Sequence, residues 1–296
     1  MSILEDYEIY IDTLDNVAGF TQARICAPLD PTFDGLDASS LLLITLSYGN
    51  QHEEPPSIPE YAALIAPFAR RNYYREAVKR LQELAKQLRT RFGGLRSDFR
   101  IYCNSRIPER PLALAAGLGS LGRNGLLITD KAGSLCVIAA MTLPYAPKSV
   151  STGADKALAK DFPRCAACDP KRPPCMAACP TGALRGDGTL GRARCIQWYA
   201  SGNEETVPPD IARVWGQRLY GCTRCQDACI HNQRPIQGVV SNLGVLPAYL
   251  DTRELLAMSD EAIKARFKGT ALGLSWLGPK AIRRNARLAL RHTDFC

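Results

Sequence analysis

Eight of the chain's twelve cysteines fall between Cys165 and Cys229, in the order Cys165, Cys168, Cys175, Cys179-Pro180, Cys195, Cys222, Cys225 and Cys229. Thiolates two and three residues apart put several sulfurs on one side of a tight loop, and an iron-sulfur cluster takes four such ligands. The proline behind Cys179 adds to this reading. In proteins with two such clusters, the cysteine before the proline serves the other cluster, so the two motifs interlock. The stretch therefore predicts two 4Fe-4S clusters.

Other fates for these cysteines fit the same residues less well. Disulfides need an oxidising compartment, yet the opening MSILEDYEIYIDTLD is acidic, has no long apolar core and predicts no signal peptide. Zinc prefers closed sets of four built from paired knuckles, often with histidine, whereas here the gaps are uneven and no histidine shares the spacing. Inert core cysteines are not punctuated in this way.

A 46% hydrophobic composition over 296 residues supports a real core and about two domains. No run approaches the ~20 apolar residues that span a bilayer, so the expectation is a cytoplasmic, soluble protein with no membrane contact. Basic residues outnumber acidic ones, 37 to 29, for a net charge of +8. That charge suits a polyanionic partner without naming one.

Along the chain, Ser40 to Tyr48 reads as a buried strand closed by Gly49-Asn50, and QHEEPPSIPE as a loop. Asn72 is a candidate N-cap for a helix with Tyr74, Ala77, Val78, Leu81, Leu84, Ala85 and Leu88 on one face, stopped by Gly93-Gly94. Phe99 to Cys103 is a short strand. The stretch after Glu109 predicts a short helix running into Gly117, Gly119 and Gly122, then strands Gly125–Thr129 and Leu135–Leu143 paired as a hairpin. Glycines after a helix and before a strand reverse the order of a dinucleotide fingerprint, so no nicotinamide site is expected. A tight turn, or close approach of backbone to a ligand, stays open. Three short C-terminal helices follow, at Asp251–Ser259, Asp260–Phe267 and Pro279–His292. The last carries Lys280, Arg283, Arg284, Arg287 and Arg291, either a solvated face or a phosphate-tracking stripe. Cys26 and Cys136 read as core residues, Cys296 as a terminus, and His52 and His292 carry no signal. His231, two residues past a cysteine, reads as a packing or hydrogen-bonding residue.

Taken together, ERPLALAAGLGSLGRNGLLI, CMAACPTGAL, RCIQWY and RLYGCTRCQDAC, in this order, resemble the epoxyqueuosine reductase family over about residues 65 to 295. The resemblance implies an α+β fold: a corrinoid-binding domain over 1–155, an inserted two-cluster ferredoxin-like domain over 156–235, and C-terminal HEAT-like helices over 236–296. It implies reduction of epoxyqueuosine in tRNA to queuosine with cobalamin and two 4Fe-4S clusters, a small electron donor such as flavodoxin or ferredoxin, and a monomer. For one cluster it implies Cys165, Cys168, Cys175 and Cys229 as ligands, and for the other Cys179, Cys195, Cys222 and Cys225. The interlock of two-cluster proteins gives the same sets. Gly117, Gly119, Gly122 and Asn124 fall where the family meets the corrinoid, and the basic helix falls at its tRNA-facing end.

Three pocket positions depart from the family. Its general-acid aspartate is Asn104 here, and an amide cannot deliver a proton. Its Asp-Tyr-His triplet is Asn72-Tyr73-Tyr74, and its tryptophan after Gly-Leu-Gly is Ser120. The first cluster motif is also longer, and Ile230 stands where a proline is usual. Tyr73, Tyr74, Glu109 and Cys103 are the nearby candidates for the missing acid. Two further functions follow from these departures: a corrinoid-dependent reductase of another substrate, and an electron-transfer or corrinoid-activating protein without substrate chemistry.

Overall fold

The computed structural model describes residues 10, 13–14, 19–28, 38–50, 58–145, 162–202 and 204–293. Expectations for His52, for residues 51–57 of the proline-rich loop and for Cys296 lie outside them. In chain order the strands are β1 Gln22–Cys26, β2 Ser40–Ser47, β3 Ala62–Ile65, β4 Ile101–Cys103, β5 Ser120–Leu121, β6 Leu127–Ile128, β7 Cys136–Leu143, β8 Arg218–Tyr220 and β9 Tyr249–Asp251. The helices are α1 Tyr73–Phe92, α2 Glu109–Ala115, α3 Pro174–Ala177, α4 Ile196–Ala200, α5 Pro209–Arg213, α6 Arg224–Asp227, α7 Thr252–Ala257, α8 Asp260–Phe267 and α9 Pro279–Thr293.

Strand β2 is apolar on both faces because both are covered. Leu42, Ile44 and Leu46 share a core with Ala77, Leu81, Leu84 and Leu88 of α1, while Leu41 and Leu43 share another with Leu112 and Leu114 of α2. A strand covered on both sides reads as a continuous apolar run. The first sheet has the order β1-β2-β7-β4 and is antiparallel throughout, with β2 and β7 in register from Ser40↔Leu143 to Ser47↔Cys136. Both edges of β7 are therefore occupied. This overturns the expected hairpin: β6 pairs with β5 instead, Ser120↔Ile128 and Leu121↔Leu127, and a single bridge, Thr129↔Gly133, closes the turn before β7.

Helix α1 begins as its sequence directs. The Asn72 side chain accepts the Arg75 N–H at 3.1 Å, and the chain leaves the helix at Gly93 with φ +83°. On the buried face the helix uses Tyr73 and Glu76, and leaves Tyr74 and Val78 half-buried. Glu76 is tolerated there because Arg80 pairs with it at 2.7 Å and Ser241 donates to it at 3.1 Å.

The second sheet, β8-β3-β9, is built from three- and four-residue strands that lie far apart in sequence; β3 runs parallel to β8 and antiparallel to β9. Its core joins Ile65, Leu219 and Leu250 to Leu255, Ile263, Phe267 and Ile282 of the C-terminal helices. Asn285 on α9, fully buried, donates to the carbonyls of Ala200 at 3.0 Å and Leu219 at 2.9 Å, fastening α9 to α4 and β8. The fold is thus mixed α/β. Among the described residues no helix is long and apolar enough to cross a membrane.

Candidate active site

The cysteine segment docks on the loop between β6 and β7. Arg164 pairs with Asp130 at 2.5 Å, and the Asp130 carboxyl is held below its ordinary range by that hydrogen bond. The Ser134 N–H donates to Asn232 Oδ1 at 2.9 Å, and Asn232 Nδ2 donates to Ser134 Oγ at 2.9 Å. Gln226 Nε2 donates to the Tyr48 hydroxyl and to the Ser134 carbonyl, each at 2.8 Å. The Cys225–Cys229 end of the segment is therefore held against the Ser134 loop and Tyr48 by satisfied, buried polar groups, and the Cys165 end by an ion pair open to solvent.

Docking divides the eight cysteines between two cavities. A narrow one is lined by Cys165, Cys168, Cys175 and Cys229. A larger one, of about 430 Å³, is lined by Cys179, Cys195, Cys222 and Cys225. Electrostatic neighbours fall the same way. The Cys175 thiol is pushed up to about 11 by burial and then by Cys165 and Cys229. Burial pushes Cys225 up to about 12, with Cys222 and Cys195 the next causes. Thiols so crowded keep their protons until a metal displaces them, the protons then passing to solvent. Burial acts on Cys179 too, but hydrogen bonds from Thr181, Ala183 and Leu184 outweigh it and bring the thiol down; the Ala183 N–H reaches its sulfur at 3.3 Å. Such N–H donors tune a cluster's potential.

The larger cavity also takes in Tyr74, Asn104, Glu109 and Asn124. Asn104 is exposed and has φ +48°, a left-handed conformation that asparagine adopts more readily than most residues. Glu109, at the start of α2, accepts from the Ser105 N–H at 2.7 Å and from its hydroxyl at 3.2 Å, which fixes the loop that presents Asn104. Burial raises the Tyr74 hydroxyl well above its ordinary value, with Tyr220, Cys103 and Glu109 adding to the effect. Cys103 is pushed up to about 12, by burial first and Glu109 second.

Other expected residues lie elsewhere. Tyr73 is 5% exposed in the α1 core, its ring against Tyr48, and does not line the cavity. Nor do Gly117, Gly119 and Gly122. A Cβ on Gly119 would meet the Ile128 carbonyl oxygen at 2.2 Å, and one on Gly122 would meet Asn124 Oδ1 at 2.6 Å, so these two glycines permit the close β5–β6 pairing. Gly117 is exposed, with φ +74° and open space where a Cβ would stand. Asn124, 6% exposed, lines both cavities. Ser120 is half-buried, and its hydroxyl has no hydrogen-bond partner.

Sequence reasoning missed Tyr48, Phe68, Arg110 and Gln226, all of which line the larger cavity. Gln226 alone had a local signal, its place between Cys225 and Cys229. Cys136 packs against the core, as expected, and also lines the cavity; burial pushes its thiol up to about 12. Cys26 is fully buried, as expected of a core residue. His231 Nε2 lies 2.6 Å from the Arg164 carbonyl, a hydrogen-bonding role. The basic stripe divides. Arg283 pairs with Asp260, and Arg284 bonds to the carbonyls of Tyr199 and Glu204, while Lys280, Arg287 and Arg291 are exposed.

Residues 164–232 match the family model of the 4Fe-4S double cluster binding domain. An epoxyqueuosine reductase from Staphylococcus aureus is 29% identical over 93% of this chain and 69% of its own length. The solved structure of a Bacillus subtilis epoxyqueuosine reductase, with its catalytic aspartate loop swung out of the active site, superposes with a TM-score of 0.70. It is 26% identical and covers 99% of this chain and 75% of its own. This chain is similar to epoxyqueuosine reductases in sequence and in fold. An epoxyqueuosine reductase solved with an epoxyqueuosine-modified tRNA-Tyr stem loop shares the fold at a TM-score of 0.75 and 22% identity, over 98% of this chain and 82% of the other. The segment that matches the double-cluster domain contains all eight cysteines from Cys165 to Cys229.

Proposed function

We propose that this chain reduces epoxyqueuosine in tRNA to queuosine, with two 4Fe-4S clusters and a cobalamin. One observation carries the reading: a single cavity holds Cys179, Cys195, Cys222 and Cys225 together with Tyr74, Asn104 and Glu109. Electron input and proton chemistry thus share one space. At about 430 Å³, with Phe68, Val137, Ile138, Leu184 and Ile196 among its walls, the cavity has the size and apolar character of a cofactor site.

In this reading Cys165, Cys168, Cys175 and Cys229 hold the outer cluster, and Cys179, Cys195, Cys222 and Cys225 hold the one facing the cavity. The division of these cysteines between two cavities supports it. Asn124, which lines both, lies between the two sites. Bound clusters and corrinoid supply the electron relay and the reducing centre for a two-electron, two-proton removal of the epoxide oxygen as water. The protein must hold a proton near the departing oxygen. Asn104 cannot supply it, and Glu109 Oε1 is engaged by the Ser105 N–H and hydroxyl. Tyr74, whose ring lines the same cavity, is the donor we assign. The glycine turn at 117–122 contributes by holding Asn124. The division into a corrinoid-binding region, residues 1–155, an inserted cluster region, 156–235, and HEAT-like helices, 236–296, belongs to the same proposal, as do a cytoplasmic setting and a small one-electron donor.

The direct test is anaerobic reconstitution with iron, sulfide and cobalamin, followed by reductant and tRNA containing epoxyqueuosine. Nucleoside analysis should show queuosine. A fully loaded protein that leaves epoxyqueuosine unchanged would sink the proposal.

A further inference from the structure

The three tryptophans are placed differently. Trp215 is fully buried and its indole N–H donates to the Arg218 carbonyl at 2.7 Å, and Trp198 lies under the Arg192 guanidinium. Trp276 is 40% exposed, with its ring edge-on to Tyr74 at a centroid distance of 6.4 Å and an interplanar angle of 71°. One exposed aromatic means little by itself. Its neighbours give this one meaning.

Tyr74 lines the larger cavity. Trp276 also abuts the Gly202 turn, where an added Cβ would meet the Trp276 carbonyl oxygen at 3.0 Å. Gly202 in turn lines a separate groove of about 530 Å³, with Lys280, Arg283, Arg284, Arg287, Glu204 and Glu205. Arg283 and Arg284 are engaged with Asp260 and with backbone carbonyls, so Lys280 and Arg287 are the exposed cations of that groove. Trp276 therefore stands between a groove bearing exposed cations and the cavity, touching an element of each.

We infer that Trp276 stacks a nucleobase of the RNA substrate next to the nucleoside that passes Tyr74 into the cavity, while Lys280 and Arg287 meet the adjoining phosphates. The inference rests on the RNA-substrate reading above. Unpaired bases of a loop are recognised by stacking on aromatic rings, which tolerates any base identity, and cations alongside track the backbone. The edge-on Tyr74 ring supports the indole and leaves its exposed part for the base.

The test uses the full chain with clusters in place and two labelled RNAs, an unmodified stem-loop and a blunt duplex of equal length, followed by fluorescence anisotropy. Trp276→Ala should weaken stem-loop binding about tenfold and leave duplex binding unchanged. Trp276→Phe, which keeps a ring, should bind nearly as the unaltered protein does. It should also lose the tryptophan quenching that the stem-loop causes. Equal stem-loop affinity for Trp276→Ala and the unaltered protein would overturn the inference, as would equal weakening towards both RNAs. If the unaltered protein binds no stem-loop, the RNA reading fails and this inference with it. If it binds and forms queuosine while Trp276→Ala behaves identically, only the inference fails.

Discussion

Gln226, one residue after Cys225, donates to the Tyr48 hydroxyl at the end of β2 across 2.8 Å, with both side chains buried. A cysteine of the cluster segment is thereby tied to the central sheet through its neighbour. Replacing Gln226 with leucine strands the Tyr48 hydroxyl and the Ser134 carbonyl, and we expect a loss of about 1–3 kcal/mol in unfolding free energy. Denaturant titration of the loaded protein checks this. Stability equal to the unaltered chain would show that the link carries no weight.

The two cysteine sets differ in what double variants do. Each single cysteine-to-alanine change should remove one cluster, taking iron from about eight atoms per chain to about four. Cys165→Ala with Cys229→Ala should lose no more than either alone, whereas Cys165→Ala with Cys225→Ala should lose nearly all. Iron and sulfide analysis after anaerobic purification decides it. The opposite ranking would regroup the ligands.

Asn104 sits at φ +48°, which aspartate tolerates about as well as asparagine and a β-branched residue does not. Asn104→Asp should fold normally and raise turnover by adding a carboxyl to the cavity, while Asn104→Val should cost about 1–2 kcal/mol of stability. Tyr74→Phe should lower kcat about 100-fold with cobalamin binding intact. Unchanged single-turnover rates in Tyr74→Phe would remove it as the proton donor.

Arg284 and Arg287 are neighbours on α9 with opposite duties. Arg284 serves the carbonyls of Tyr199 and Glu204, so Arg284→Ala should destabilise the fold by about 1–3 kcal/mol. Arg287 is exposed, so Arg287→Ala should leave stability alone and reduce the salt slope of RNA binding by about one. Thermal melts and anisotropy over a salt series separate the two.

Asp251 caps α7 by accepting the Arg253 N–H at 2.8 Å and pairs with the Arg253 guanidinium at 2.8 Å, which brings its carboxyl down to about 2. A folded pKa below the unfolded one adds stability above about pH 4, and that contribution fades as the pH falls towards 2. The site is open to solvent, so we expect Asp251→Ala to cost only about 0.5 kcal/mol at neutral pH. The difference should vanish near pH 2. A cost that grew on acidification would contradict this sign.

Some elements were legible because their signals are local. The N-cap Asn72, the three-and-four spacing through Leu88 and the Gly93 stop sit within one helix, and the apolar run from Ser40 to Ser47 announces a strand buried on both faces. Short strands are different. Nothing in Ala62–Ile65, Arg218–Tyr220 or Tyr249–Asp251 names its partners, because three or four residues carry too little periodicity to specify pairing across nearly two hundred positions. The failed hairpin has the same origin: β7 is taken on one edge by the eight-pair β2 ladder and on the other by β4, so a local turn finds neither edge free.

By itself the sequence determined the redox equipment, since eight thiols at close spacing are a matter of chain order and ligand chemistry. It also put an amide, Asn104, where the resemblance to epoxyqueuosine reductases implies an acid. Only the tertiary structure decided which groups share a space. It turned Tyr73 into the core and Tyr74 into the cavity, brought Cys136 and Gln226 to the cavity wall, and separated the engaged Arg284 from the exposed Arg287. Adjacent residues on a helix point about 100° apart, so a difference of one position along the chain becomes a difference between packing and chemistry once the helix is docked.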